Sequence, residues 1–269
     1  MRIDPEQITT VLCDLDGVVW LDHQPIAGSV DAIARMRAAG RRVLFVTNNS
    51  ASPVADHEAA LQAVGIRAVG DVVSSAMAGA ALVQTGERVL VAGGPGVVEA
   101  VEARGATAVV NDGETVHDDV DAVIVGLHRD FDYHRLRTAA RAVLGGARLI
   151  GTNGDSTYPT PTGLDPGGGA LVTAVATVAG VDAVLGGKPH QPMADLIIDM
   201  LSTDDQRFDP RHAVMVGDRP ETDGLFARRL GAPFVLVRSG VVEPGADVPG
   251  DVPVALDCRD LSALADRFG

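Results

Sequence analysis

Short runs rich in Val, Ile and Leu alternate with amphipathic stretches rich in Ala and Arg along most of the chain, and this alternation restricts the fold more than any other feature. Strands are expected at 9–13, 42–46, 88–92, 121–126, 147–151, 183–186, 213–217 and 234–238. Helical patterns fill most of the gaps, over 28–39, 54–64, 74–84, 95–104, 133–144, 167–179, 190–201 and 221–230. Several of these end at a glycine (Gly40, Gly65, Gly105, Gly180, Gly231), as a left-handed C-terminal cap favours. The strand runs are apolar throughout instead of alternating, so each is expected to be buried on both faces. A βαβα order of such runs implies an α/β fold, a parallel sheet with helices on both sides.

Composition agrees with that architecture and narrows the function. Hydrophobic residues make up 46% and aromatic residues 3%, so the core must be built from Ala, Val, Leu and Ile. Charges and glycines interrupt every apolar run before the roughly 20 residues that a membrane span needs. The opening "MRIDPEQITT" lacks the apolar middle of a signal peptide, so a cytoplasmic protein is the expectation. A net charge of −14 argues against nucleic acid as a partner, and a small anionic substrate would need its own local positive charge. The chain uses arginine almost everywhere and has a single lysine, Lys188, which points to a position that needs a compact ammonium. The two cysteines, Cys13 and Cys258, read as small buried thiols.

In open parallel sheets ligands collect at the carboxyl ends of the strands. Polar residues gather at four such ends: Asp14-Leu15-Asp16-Gly17, Thr47-Asn48-Asn49-Ser50, Gly187-Lys188-Pro189, and Gly217-Asp218-Arg219 with Asp223 beyond it. Between the second and third lies a segment the size of a small domain. It divides the chain into a discontinuous core, 1–76 and 182–269, and an inserted middle domain, 77–181. The Gly- and Pro-rich stretch 240–253 is expected to be a surface loop before a last short strand and helix.

A carboxylate can attack phosphorus and form an aspartyl-phosphate, splitting one hard step into two. Asp14 is the candidate nucleophile. Asp16, on the turn beyond it, is the candidate proton carrier, first to the leaving alkoxide and then from water. Mutual repulsion among such carboxylates and a phosphoryl group calls for a hard divalent cation, and Mg²⁺ with oxygen ligands is the natural choice. Asp14 and Asp218 are the candidate ligands, with Asp223 behind them holding a metal-bound water or orienting Lys188. Thr47 offers a hydroxyl, the amides after either strand suit phosphoryl oxygens, and Lys188 supplies a point charge. Taken alone, each element has a plainer reading as a turn former, a helix cap or a solvated side chain. Their occurrence together, in this order and each at a strand end, favours the chemical one.

At "DLDGVVW", "FVTNNS", "GGKP" and "VGDRPETD" the chain resembles the haloacid dehalogenase-like hydrolases, and more narrowly their NagD-type, 4-nitrophenyl phosphatase branch. The insert resembles that branch's cap at "VIVGLHRDFDYHRL" and "GTNGDSTYPTPTGLDPGGGALVTAV". The resemblance implies a Rossmann-like core with an inserted α/β cap, and Mg²⁺-dependent hydrolysis of phosphomonoesters of small metabolites. It implies Asp14 as nucleophile, Asp16 as acid and base, and Thr47, Asn48, Asn49 and Lys188 as phosphoryl-binding residues. The metal would be held by Asp14, the backbone carbonyl of Asp16 and Asp218, with Asp223 in support. A homodimer through the cap is also implied. Phosphoryl transfer to another alcohol by the same intermediate, or binding of a phosphorylated ligand without turnover, are the alternatives.

Two positions depart from the family's pattern: Gly224 stands where a branched aliphatic is usual, and His190-Gln191 where small residues or proline are common. In the insert, His128, Arg129, Asp130, Asn153, Asp155 and Tyr158 are candidates for contact with a leaving group, against plainer readings as turn and surface residues. Gly167–Gly169 is expected to start a helix. Trp20 is expected beside the site or in the core, Arg219 on the surface, and His23, His57, His117, His134 and His212 also at the surface.

Overall fold

The computed structural model describes residues 3–160, 163–242, 245–248 and 252–268. Part of the stretch 240–253, expected as a surface loop, therefore lies outside the described residues. The chain forms two compact units, one of Met1–Thr47, Ala55–Val73 and Lys188–Gly269, the other of Asn48–Val54 and Ser74–Gly187.

The first unit is built on a six-stranded sheet in the order Val254–Cys258, Phe234–Val237, Ala213–Gly217, Thr10–Cys13, Arg42–Thr47, Val72–Ser74. The pairings from Val254–Cys258 across to Arg42–Thr47 are all parallel. From Thr10–Cys13 the chain steps outward through Arg42–Thr47 and Val72–Ser74, then returns to the other side at Ala213–Gly217. The order thus reverses between Thr10–Cys13 and Ala213–Gly217, which are hydrogen-bonded neighbours. A crevice at the carboxyl ends of the strands belongs at such a reversal. Thr10–Cys13 is buried at every residue, as a strand covered on both faces must be. The helices Ser29–Ala38 and Leu261–Phe268 pack against each other, as do Gln191–Leu201 and Leu225–Leu230.

The second unit repeats the principle with five parallel strands in the order Val184–Leu185, Arg148–Gly151, Ala122–Val125, Arg88–Ala92, Thr107–Val110. Successive side chains of one strand enter different cores. Val89, Val91, Ala122 and Ile124 join one apolar cluster, whereas Leu90, Ala92, Val123 and Val125 join the other. That division explains why these runs carry no polar alternation.

Expected helix-ending glycines Gly40, Gly65, Gly105, Gly180 and Gly231 all have positive φ. Elsewhere the boundaries shift. The stretch 74–84 gives its first residue to a strand, and Ser74 then accepts a hydrogen bond from the Met77 amide to start the helix Ser75–Ala80. The helix expected from 221 begins instead as a π turn, Pro220–Gly224, that passes into Leu225–Leu230. The strand Thr107–Val110 and the antiparallel pair Thr157–Thr160 and Gly163–Pro166 were not expected. Thr107–Val110 is an edge strand without buried positions, and Gly163–Pro166 is exposed throughout, so neither shows a core pattern. The histidines divide: His23, His134 and His212 are exposed as expected, whereas His57 and His117 are buried.

Leu12 is fully buried in the central strand Thr10–Cys13. Leu12→Ala is expected to lower the unfolding free energy by about 2–5 kcal/mol, measured as a fall in the urea midpoint.

Candidate active site

The reversal of strand order sets Asp14 and Asp218 side by side. Each follows the last residue of its strand, and the Asp14 amide donates to the Val216 carbonyl at 2.9 Å. The Lys188 ammonium, only 2% exposed, donates to Asp14 Oδ1 at 2.8 Å, to Asp223 Oδ1 at 2.7 Å and to the Val46 carbonyl at 2.8 Å. Three donors thus meet three acceptors, the full capacity of an ammonium. The solvated reading of this lysine is overturned. Burial works against its charge, but the carboxylates of Asp14 and Asp223 outweigh that and raise its pKa.

One oxygen each of Asp14, Asp218 and Asp223 lies within 4.8 Å of the others. At that separation two carboxylates repel by about 3 kcal/mol or more at an effective dielectric near 20. Asp223 is anchored by its second oxygen, which accepts the Arg219 amide at 3.1 Å. Asp218 accepts the Val241 amide at 2.7 Å through Oδ2, while its buried Oδ1 has no partner among the described residues. Burial first, and then the charges of Asp14 and Asp223, raise the Asp218 pKa; burial raises Asp223 too, with Lys188 pulling the other way. An unpartnered buried oxygen, an all-carboxylate donor set and an excess of negative charge over Lys188 together fit a hard divalent cation. The Cys13 thiol beside them is no competitor as a ligand, because burial and the Asp14 charge raise its pKa and keep it protonated.

Asp16 is partly buried, and its Oδ1 accepts the Trp20 indole N–H at 3.1 Å. Burial, then Asp14, push its pKa up to about 6. Gly17 between them has φ +84, and a side chain there would meet Asp218 Oδ2 at 2.3 Å, so only glycine allows this approach. Thr47 is buried at the end of its strand.

The remaining phosphoryl-binding candidates belong to the second unit and are engaged there. The Asn48 side-chain amide donates to Asp155 at 3.0 Å, and the Asn48 carbonyl accepts from Ser75 Oγ at 2.6 Å and Asn153 Nδ2 at 2.7 Å. Asn49 Oδ1 accepts the Ala51 amide at 3.0 Å, an Asx turn. Asn153 and Asp155 are therefore the latch of the Asn48 loop. Arg129 lies 5.9 Å over the Tyr158 ring and 3.9 Å from Asp165, and with half-buried His128 these residues line a cavity of about 340 Å³. Asp130 is exposed, and Gly168 opens the helix Gly168–Ala179 as expected. Gly224 has a packing reason: a side chain there would strike Val252 at 2.3 Å and the Phe234 ring at 3.1 Å.

Sequence reasoning missed two backbone groups, the Val46 carbonyl and the Val241 amide, and one side chain, the Ser239 hydroxyl, which donates to the Gly17 carbonyl at 2.7 Å. Position 238 ends a run read as a strand, so the residues after it carried the same strand-end signal as the other four.

Family models for haloacid dehalogenase-like hydrolases match residues 11–107 and 185–261. The chain is 36% identical, over 90% of its length, to a D-glycerol 3-phosphate phosphatase of Mycobacterium tuberculosis, and spans 66% of that protein. It is 32% identical to an acid sugar phosphatase of Staphylococcus saprophyticus, over 94% of this chain and 95% of that one. The crystal structure of a Mycobacterium tuberculosis glycerol phosphate phosphatase in complex with magnesium superposes with a TM-score of 0.83 at 32% identity, covering 98% of this chain and 79% of that one. The chain belongs to the haloacid dehalogenase-like hydrolases, in their NagD-type branch. These relatives carry the names of phosphatases for small phosphorylated compounds, and among the described residues no helix is long and apolar enough to cross a membrane.

In the metal-free protein Asp16 keeps its proton up to about pH 6, whereas the unfolded chain releases it near 3.8. The folded state therefore binds more protons in that window, and stability falls as pH rises through it; Asp218, raised in the same direction, extends the fall upward. The melting temperature without metal is expected to drop from about pH 4 to pH 6 and beyond, and Mg²⁺ to restore more of it at higher pH. Differential scanning fluorimetry across pH, with Mg²⁺ and with EDTA, measures both.

Proposed function

We propose that this chain is an Mg²⁺-dependent phosphatase that hydrolyses phosphomonoesters of small metabolites, such as glycerol phosphates, phosphoglycolate or sugar and nucleotide phosphates. The observation that carries the reading is Lys188, bonded at once to Asp14 and Asp223 beside the unpartnered oxygen of Asp218. The first unit is read as the catalytic core and the second as the cap, with a homodimer contact on the cap and a cytoplasmic location.

Lys188 fixes Asp14 Oδ1, and the other carboxylate oxygen attacks phosphorus. The bond from phosphorus to the ester oxygen breaks, and Asp16, protonated on the side away from Trp20, gives its proton to the leaving alkoxide. Water then attacks the phosphorus of the aspartyl-phosphate while Asp16 takes back a proton. The bond between Asp14 and phosphorus breaks, and phosphate leaves. A pKa near 6 suits both proton transfers, because each form of Asp16 is accessible near neutral pH. Lys188, Thr47 and the amides after Thr47 hold phosphoryl oxygens, with Asn48 and Asn49 shaping that loop. Mg²⁺, held by Asp14, Asp218 and the Asp16 carbonyl with Asp223 behind them, supplies the positive charge that offsets repulsion between carboxylates and phosphoryl group.

Phosphate release from 4-nitrophenyl phosphate and a panel of glycerol, glycolate, sugar and nucleoside phosphates tests the reading. Turnover is expected with Mg²⁺ and lost in EDTA. Asp14→Asn is expected to lower kcat by on the order of 10⁴–10⁶-fold in a folded protein, and Asp16→Asn by about 10²–10⁴-fold. Metal-independent turnover, or full activity in Asp14→Asn, would overturn it. Transfer of the phosphoryl group to an added alcohol in place of water would identify a phosphotransferase instead.

A further inference from the structure

We propose that the turn Ser239-Gly240-Val241, just beyond the strand Phe234–Val237, is a positioning element that commits Asp218 to offering a single oxygen, Oδ1, to the cation. The inference rests on the metal site read above and adds what sets its geometry.

The Asp218 carboxylate is confined on three sides. The Val241 amide takes Oδ2 at 2.7 Å. A side chain built on Gly240 would lie 2.0 Å from Oδ2, and one built on Gly17 would lie 2.3 Å from it and 3.1 Å from the Gly240 Cα. The carboxylate is thus sandwiched between two glycine backbones with no room to turn. Gly240, unlike Gly17, is not among the positive-φ residues, so glycine is needed there for space and not for backbone conformation. Oδ1 is left buried and without a partner among the described residues.

The turn is itself anchored at its start. Ser239 Oγ donates to the Gly17 carbonyl at 2.7 Å, tying it to the loop that carries Asp16. At its base the Arg238 guanidinium binds Asp257 at 2.9 and 2.7 Å and the Ala246 carbonyl at 2.8 Å, and the Arg238 amide donates to the Cys258 carbonyl at 3.0 Å. Val241 is exposed, so its part is played by the amide and not by the side chain.

This arrangement has a consequence for metal choice. Mg²⁺ demands near-ideal octahedral geometry, whereas Ca²⁺ accepts more ligands and bidentate carboxylates. Oδ2 accepts from Val241 and is shut between Gly17 and Gly240, which disfavours chelation through both oxygens of Asp218. The turn therefore favours Mg²⁺ over Ca²⁺.

The test titrates the full-length protein with Mg²⁺ and separately with Ca²⁺, by calorimetry and by fluorescence of Trp20, the only tryptophan, whose indole bonds Asp16. Val241→Pro removes the amide donor and sets the ring Cδ where the N–H pointed, against Asp218 Oδ2; Gly240→Ala pushes the carboxylate from the other side. Both are expected to raise the Mg²⁺ Kd about 10–100-fold, in the range that changes behind a metal ligand produce, and to narrow the preference for Mg²⁺ over Ca²⁺. Ser239→Ala is expected to shift both in the same direction, and Ser239→Thr, which keeps the hydroxyl, to restore them. Metal-free melting curves identify any variant that fails to fold, and the remaining two then decide. An Mg²⁺ Kd and an Mg²⁺/Ca²⁺ ratio equal to wild type in folded Val241→Pro and Ser239→Ala would overturn the role of the turn. Wild-type Mg²⁺ binding in Asp218→Asn would instead overturn the metal site on which it rests.

Discussion

A fully buried ammonium with every proton donated organises the first unit's site. Lys188 joins the end of the strand Thr10–Cys13 to the turn Pro220–Gly224 and to the carbonyl of Val46 on the strand Arg42–Thr47. Removing water from such a charge is costly, and removing one partner of a buried pair costs about 3–5 kcal/mol. The three short contacts meet that cost only because they converge from three directions on a compact head. A guanidinium, with its donors spread in a flat fork, cannot satisfy two carboxylates and a carbonyl grouped this way. That gives a physical reason for one lysine in a chain whose other 21 basic residues, of 22, are arginine.

Lys188 does not neutralise its surroundings. Asp14, Asp218 and Asp223 carry more negative charge than one ammonium balances, and Asp16 stands at the edge of the group. The raised pKa values of Asp16 and Asp218 express that imbalance, burial being the larger cause and Asp14 the next. In the proposed reaction a divalent cation and a phosphorylated substrate have complementary roles. The first relieves the repulsion and the second restores some of it, so the site is arranged to bind them together.

Much of this was legible in the sequence because the fold writes its function at strand ends. Continuous apolar runs announced strands buried on both faces, and the polar residue after each run announced the crevice; the isolated lysine stood out by composition alone. What escaped reading has a common physical origin. The Val46 carbonyl and the Val241 amide are backbone groups, and any residue except proline at 241 would supply the same donor. The bond from Trp20 to Asp16 depends on a side-chain direction that spacing does not encode. His57 and His117 looked like surface residues because polarity, not packing, governs such a reading. The edge strand Thr107–Val110 and the exposed strand Gly163–Pro166 lack a buried face and so lack a pattern.

Glycines complete what the lysine begins. A side chain at Gly217 would strike the Asp223 carboxylate at 2.2 Å, and those at Gly17 and Gly240 would strike Asp218. Carboxylates that repel one another would rotate apart if they were free to move; held in place, they take up protons more readily, as the raised pKa values of Asp16 and Asp218 express. Here bare backbone, amide donors and an ammonium hold them against their own repulsion. The neighbouring strands Thr10–Cys13 and Ala213–Gly217 set where Asp14 and Asp218 begin. The crowding of these carboxyl groups is therefore a property of the fold before any cation binds. For the proposed reaction this is the condition for electrostatic preorganisation: the groups need not rearrange when a phosphoryl group arrives, so the cost of assembling them is met at folding and not at each turnover.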